Sequence, residues 1–123
     1  MAAHTPEDCD RLFGEAVNAG DAAAVAALYE NDGVLVLEGD TFQGPDAIRG
    51  FLDAMIAAQT RITMNVTRVL SAGDVAVVYN DWHMSVAGAD GQRAESSGKA
   101  IEVVRRQSDG TWKYVIDDPR ARG

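Results

Sequence analysis

With 123 residues the chain has room for one domain with a sizeable core, and 46% apolar against 24% charged residues is ordinary for a soluble globular fold. No apolar run approaches the ~18 residues of a membrane span, and the N-terminus lacks a basic-then-apolar export signal, so a cytoplasmic protein with no membrane partner is expected. The net charge of −8 is concentrated in residues 1–60, where eleven acids face two arginines, and the absence of a clustered basic footprint argues against nucleic acid as a partner.

Residues 1–123 read as a single domain. Thr5-Pro6-Glu7-Asp8 has the composition of a helix start, with an N-cap threonine, a first-turn proline and acids facing the positive end of the dipole. Cys9, Leu12, Phe13, Ala16 and Val17 then recur at helical spacing and make one apolar stripe. Cys9 is the only cysteine, which excludes an internal disulfide, and its place on that stripe reads as a small buried hydrophobe. Gly20 ends the helix, Asp21 caps a second one predicted over 22–29, and Asn31-Asp32-Gly33 stops it. Val34–Leu37 reads as a short strand and Glu38-Gly39-Asp40 as a turn into a loop. Gly44-Pro45-Asp46 opens a third helix carrying Ile48, Phe51, Leu52, Met55 and Ile56.

After Gln59 the pattern changes to strand, with runs at 61–70, 75–86 and 93–106 separated by Gly-containing turns. Ser108-Asp109-Gly110 then joins the last of these to a strand over 111–117, and Asp-Gly between two β-runs is a strong hairpin signal. Helices followed by strands imply an α+β fold, with three N-terminal helices packed on one face of an antiparallel sheet.

Alternation sorts the polar strand residues by face. Over 75–86, one face takes Val77, Tyr79, Asp81 and His83, and the other takes Asn80, Trp82 and Met84. Glu102 shares a face with Ala100 and Val104, and Asp117 shares one with Lys113 and Val115, while Asp118 goes with Trp112 and Tyr114. Two readings of Tyr79, Asp81 and His83 are open. They form a solvated sheet face with Trp82 and Met84 packed inward, or they line a pocket near Glu102 and a C-terminal aspartate. In a partly apolar pocket such a set would exchange protons near neutral pH. A carboxylate–His metal site can be drawn from His83, Asp81 and Glu102, but no His/Cys cluster with ligand spacing supports it, and no metal is expected.

The element order, Asn18-Ala19-Gly20-Asp21, Leu28-Tyr29-Glu30-Asn31-Asp32-Gly33-Val34, Gly44-Pro45-Asp46-Ala47-Ile48 and the closing Asp109-Gly110-Thr111-Trp112 together resemble the nuclear transport factor 2-like superfamily. The likeness is greatest to its small SnoaL-like and ketosteroid isomerase-like members, a group that includes polyketide cyclases. The resemblance implies a cystatin-like cone, in which a curved sheet wraps a long helix around an apolar-lined pocket, commonly in a homodimer joined through the sheets. It also implies that Val77, Tyr79, Asp81, His83, Glu102, Val104, Val115 and Asp117 face that pocket, with Phe13 approaching from helix 1.

Residue by residue, the isomerase pattern transfers in part. Its oxyanion-hole tyrosine falls on Phe13, its general-base aspartate falls near Leu37 beside Glu38, and its neutral aspartate falls at or beside Glu102. With two of three groups replaced, steroid isomerisation itself is not implied. The expectation is a pocket for a small, partly hydrophobic molecule, with cofactor-free isomerase-, cyclase- or dehydratase-type proton transfer on a carbonyl compound. In that reading His83 is the base or pairs with Asp81, Glu102 is a neutral donor or relay, Tyr79 is a hydroxyl donor and Asp117 orients the histidine. Phe13, Val77, Val104 and Val115 are the expected ligand contacts. The alternative is a non-catalytic ligand-binding or dimerisation module of the same fold.

Overall fold

The protein is described by a computed structural model over residues 2–123. Helices α1 (Asp8–Asn18), α2 (Ala22–Ala26) and α3 (Pro45–Ala57) cover one face of a sheet built from β1 (Tyr29–Leu37), β2 (Asp40–Gln43), β3 (Arg61–Thr63), β4 (Val66–Ala72), β5 (Val75–Ala87), β6 (Arg93–Arg106) and β7 (Trp112–Asp118). The sheet is open and runs β2-β1-β7-β6-β5-β3, with β4 also paired to β5. Every pairing is antiparallel except β1 with β7, so the sheet is mixed. No helix among the described residues is long and apolar enough to cross a membrane.

Local chemistry accounts for the helix ends. Asp21 Oδ1 accepts from the Ala24 amide at 3.0 Å, satisfying a donor that the first turn of α2 leaves free, whereas α1 begins later than its sequence predicts, with Glu7 rather than Thr5 at the N-cap and no side-chain capping bond. The α2 helix is shorter than its sequence predicts, because the chain from Tyr29 onward pairs with β7. The Tyr114 amide donates to Leu28 O at 2.7 Å and Tyr29 lies opposite Tyr114. Tertiary pairing thus overrides helix propensity at Tyr29. The run over 61–70 is two strands, interrupted where the Asn65 amide donates to the Asn80 side chain at 2.9 Å.

The β5–β6 hairpin sets the faces. Its register pairs Val78 with Glu102, Asn80 with Ala100 and Trp82 with Gly98, so even-numbered positions of both strands point to the helices. Ala76, Val78, Asn80, Trp82, Ala100, Glu102 and Val104 are all buried there. In β7 a bulge falls between Tyr114 and Ile116, where Val115 lacks a partner on β6. The extra residue reverses the alternation, so Trp112, Tyr114 and Asp117 all face inward.

Trp82 shows how tightly this face is packed. Its indole lies across Gly98, where a Cβ would come within 2.7 Å of the ring, and its Nε1 donates to Pro119 O at 2.7 Å. The ring thereby fastens the C-terminal segment to the sheet. Gly98→Ala is expected to destabilise the fold by about 1–3 kcal/mol through overpacking, read as a lower denaturation midpoint followed by tryptophan fluorescence.

Candidate functional site

Between the helices and the inner sheet face lies a cavity of about 380 Å³, within the range of small-molecule sites. Phe13 of α1, Phe51 and Met55 of α3, Leu35 and Leu37 of β1 and Ile62 of β3 supply apolar walls. Trp82 and Met84 continue the wall along β5, and Asp118, Pro119 and Arg120 edge it at the C-terminal end of β7. The Arg120 guanidinium stacks over the Trp82 ring at 5.1 Å.

One part of the wall is polar. Asp117 and Glu102 are directly opposite on adjacent strands, both line the cavity, and they are 6% and 2% exposed. The Tyr29 hydroxyl donates to Asp117 Oδ2 at 2.5 Å and Asn80 Nδ2 donates to Glu102 Oε2 at 3.3 Å. Behind them, outside the cavity wall, the Tyr114 hydroxyl donates to Asp10 Oδ1 at 2.5 Å, and Asp10 is fully buried. The Tyr29 and Tyr114 rings pack with centroids 5.0 Å apart. Two tyrosines and an asparagine therefore serve three buried carboxyl groups.

Burial governs their protonation. Desolvation is the main cause that lifts Asp117 to about 7, reinforced by the charges of Asp10 and Asp118 and opposed by the Tyr29 hydrogen bond. Glu102 is held well above the ordinary carboxyl range, first by desolvation and then by the neighbouring Asp10 charge and hydrogen bond. Asp10 is raised by desolvation, against the hydrogen bonds from Glu102 and Tyr114. Tyr29 and Tyr114 are raised well above 10 by burial and by the same carboxylates, which keeps them as donors. Burial pushes the Cys9 thiol up to about 12, so it packs as a hydrophobe.

The sequence-predicted set divides. Glu102, Asp117 and Phe13 come together at the cavity. Tyr79, Asp81, His83 and Val77 do not, because the hairpin register turns odd-numbered β5 positions to the outer face. His83 is exposed and its Nε2 lies 2.8 Å from Glu95 Oε1, while Asp81 accepts from Arg122 at 3.0 Å. The Arg122 guanidinium stacks over Tyr79 at 4.9 Å. The wet-face reading of these three is the one the register supports. Val104 is fully buried in the core beside Tyr114 without lining the cavity, and Val115 is the bulged residue.

Sequence reading missed Asp10, Tyr29 and Asn80. Asp10 did carry a signal, since Phe13, Gly14 and Val17, three, four and seven residues on, all lie on the buried side of α1. A carboxylate at such a position is a buried acid rather than a dipole partner.

The sequence profile of the SnoaL-like domain matches residues 10–115, most of the chain. The chain belongs to the SnoaL-like family. No curated protein is similar enough to this SnoaL-like chain to match it. Among solved structures it is similar to a nuclear transport factor 2-like protein with a cystatin-like fold from Novosphingobium aromaticivorans, at 21% identity and a TM-score of 0.78 over 91% of this chain and 76% of that one. A ketosteroid isomerase-like protein from Erwinia carotovora atroseptica matches at 20% identity and a TM-score of 0.78, over 91% of this chain and 89% of the other. A nuclear transport factor 2-like superfamily protein from Salmonella enterica matches at 16% identity and a TM-score of 0.79, over 94% and 89%. At these identities the likeness carries the fold, an α+β cone, and the site must be argued from its own chemistry.

The buried acids make stability depend on pH with a definite sign. Asp117 holds its proton up to about 7 in the folded chain, against about 3.9 when unfolded. Between those values the folded SnoaL-like chain binds more protons, so its stability falls as pH rises through that window. Asp117→Asn is expected to flatten this fall and to raise the urea midpoint near pH 8 relative to wild type.

Proposed function

We propose that this SnoaL-like protein is an enzyme that binds a small, partly hydrophobic carbonyl compound and moves a proton on it without a cofactor. The observation that carries this reading is Asp117: a cavity-lining carboxyl that titrates at about 7, with one oxygen held by Tyr29 and the other not hydrogen-bonded by that tyrosine. A base poised near the working pH is the most effective proton acceptor and donor. The ionised Asp117 takes a proton from the carbon next to the carbonyl and leaves an enolate. The Asp117 acid then returns the proton at a different position, which completes an isomerisation with no net change in protons. Glu102, kept neutral beside it, places no second negative charge against the enolate and serves as a proton relay. Asn80, on the same wall, donates Nδ2 to Glu102 Oε2 and so orients that carboxyl.

The catalytic base assigned from sequence to His83 moves to Asp117 in this reading, because His83 lies on the opposite face of the sheet. An open cavity with ionisable groups also speaks for turnover over a purely structural module. The test is exchange of α-hydrogens for deuterium in a panel of apolar cyclic ketones and β,γ-unsaturated ketones, followed by proton NMR. Wild type is expected to accelerate exchange for at least one of them, with a rate that rises through a midpoint near 7. Asp117→Asn is expected to lose about 10²–10⁴-fold of that acceleration, whereas His83→Ala keeps it. Equal rates in wild type and Asp117→Asn would sink the proposal.

The same reading includes a homodimer through the sheet. The strand register lines up Val34, Ile116, Val103, Val77 and Leu70 across five strands on the face away from the helices. Ile116 and Leu70 are 42% and 43% exposed, the large hydrophobic side chains most open to solvent among the described residues. A contiguous apolar row on an open sheet face suits a second copy of the same face. Ile116→Asp is expected to convert a dimer to a monomer in sedimentation velocity without loss of the folded circular dichroism spectrum.

A further inference from the structure

Asp10 is the one buried carboxyl that the proposed chemistry does not use. It projects from α1, has no exposed surface and does not line the cavity. One of its oxygens, Oδ1, accepts from Tyr114, and one oxygen of Glu102, Oε2, accepts from Asn80. The remaining two, Asp10 Oδ2 and Glu102 Oε1, are the buried side-chain oxygens that no donor reaches among the described residues. Leaving two such acceptors unpaired in a dry interior forfeits their hydration with nothing in return. Yet the two side chains are within hydrogen-bonding reach of each other. A single proton between them satisfies both oxygens at once.

We propose that Asp10 is a positioning residue of the site, sharing one proton with Glu102 from behind the cavity wall and so holding Glu102 as an acid rather than a carboxylate. Among the described residues, the groups packed around the pair include no side-chain cation to balance it. Tyr114 and Asp117 approach from β7, Tyr29 from β1, Asn80 from β5 and Cys9 from α1 itself. No lysine or arginine hydrogen-bonds to either carboxyl among the described residues. Two carboxylates side by side without a cation repel strongly at low dielectric, as in carboxylate dyads that keep one proton between them.

The arrangement has a chemical consequence for the relay. The pair carries one negative charge. Taking up a second proton makes it neutral, while giving up its only proton leaves two like charges in contact. The shared proton therefore stabilises the singly charged pair against both changes, so Glu102 stays an acid while Asp117 is the group of the cavity wall that exchanges its proton. This inference builds on the acid–base reading of the site, but its test needs no substrate and stands or falls apart from turnover.

The experiment is carboxyl-carbon NMR of the full chain labelled at aspartate and glutamate side chains, titrated across the alkaline range. In wild type, Glu102 is expected to remain at the chemical shift of a protonated acid above the Asp117 midpoint, and Asp10 and Glu102 are expected to respond to the same titration step. Asp10→Asn keeps a hydrogen-bonding side chain but removes the charge, so the Glu102 midpoint should fall by about one to three pH units. Glu102→Gln should lower the Asp10 midpoint in the same way. A Glu102 midpoint unmoved in folded Asp10→Asn would overturn the proposal. If the variants do not fold, wild type decides alone: separate, independent steps for Asp10 and Glu102 would overturn it equally.

Discussion

The register of β5 against β6 is the constraint from which the rest of this molecule follows. Pairing Val78 with Glu102 decides that even-numbered positions on both strands meet the helices. The row Leu35, Asp117, Glu102 and Val78 then lies on the cavity side, and the adjacent row Val34, Ile116, Val103 and Val77 lies on the outer side. A slip of one residue would exchange the two rows and place the acids in water. Gly98 guards the same register, because only a residue without a side chain fits under the Trp82 indole that stands across from it.

Three carboxyl groups buried without a cation among the described residues is a costly arrangement, and its form shows how the cost is contained. Each acid receives a donor: Tyr29 on Asp117 and Tyr114 on Asp10 at 2.5 Å, and the more distant Asn80 on Glu102 at 3.3 Å. Protonation does the remainder, since desolvation favours the neutral acid in each case. An interior that cannot supply countercharge retains protons instead, and a site that retains protons near neutral pH is suited to exchanging them. Stability and the proposed chemistry thus draw on the same groups, which is the trade-off expected where a site strains a core.

The outer face shows the opposite regime. His83 and Glu95 share a hydrogen bond, and Arg122 pairs with Asp81 and stacks over Tyr79, all toward solvent, where such contacts contribute little to stability. Similar residue types on the two faces of one sheet therefore differ in character only through burial. Asp81 and Glu102 are both acids on neighbouring strands, yet one is screened by water and an arginine while the other is closed off with Asp10.

Periodicity and turn chemistry made much of the fold legible before any tertiary information. The three helices, the closing Asp109-Gly110 hairpin and the α+β class follow from the apolar stripe of α1, the Asp21 cap, the Gly44-Pro45 start and the alternating β-runs. Residues that belong to one hairpin arm, such as Glu102, could be placed on a face by parity within their own strand. Parity between strands was beyond the sequence, because it depends on which residues pair across the turn, and this misplaced Tyr79, Asp81 and His83. Asp117 reached the cavity by a bulge at Val115 that alternation alone does not reveal. Tyr29 left its helix because β7 offered it backbone partners, and Asp10 met Glu102 only when α1 packed on the sheet. The sequence by itself determined which segments curl or extend wherever local backbone choices decide, Tyr29 being the exception that a partner strand overrode. Tertiary structure decided which acids share a dry space and a proton, because that depends on contacts between residues about a hundred positions apart, such as Asp10 with Tyr114.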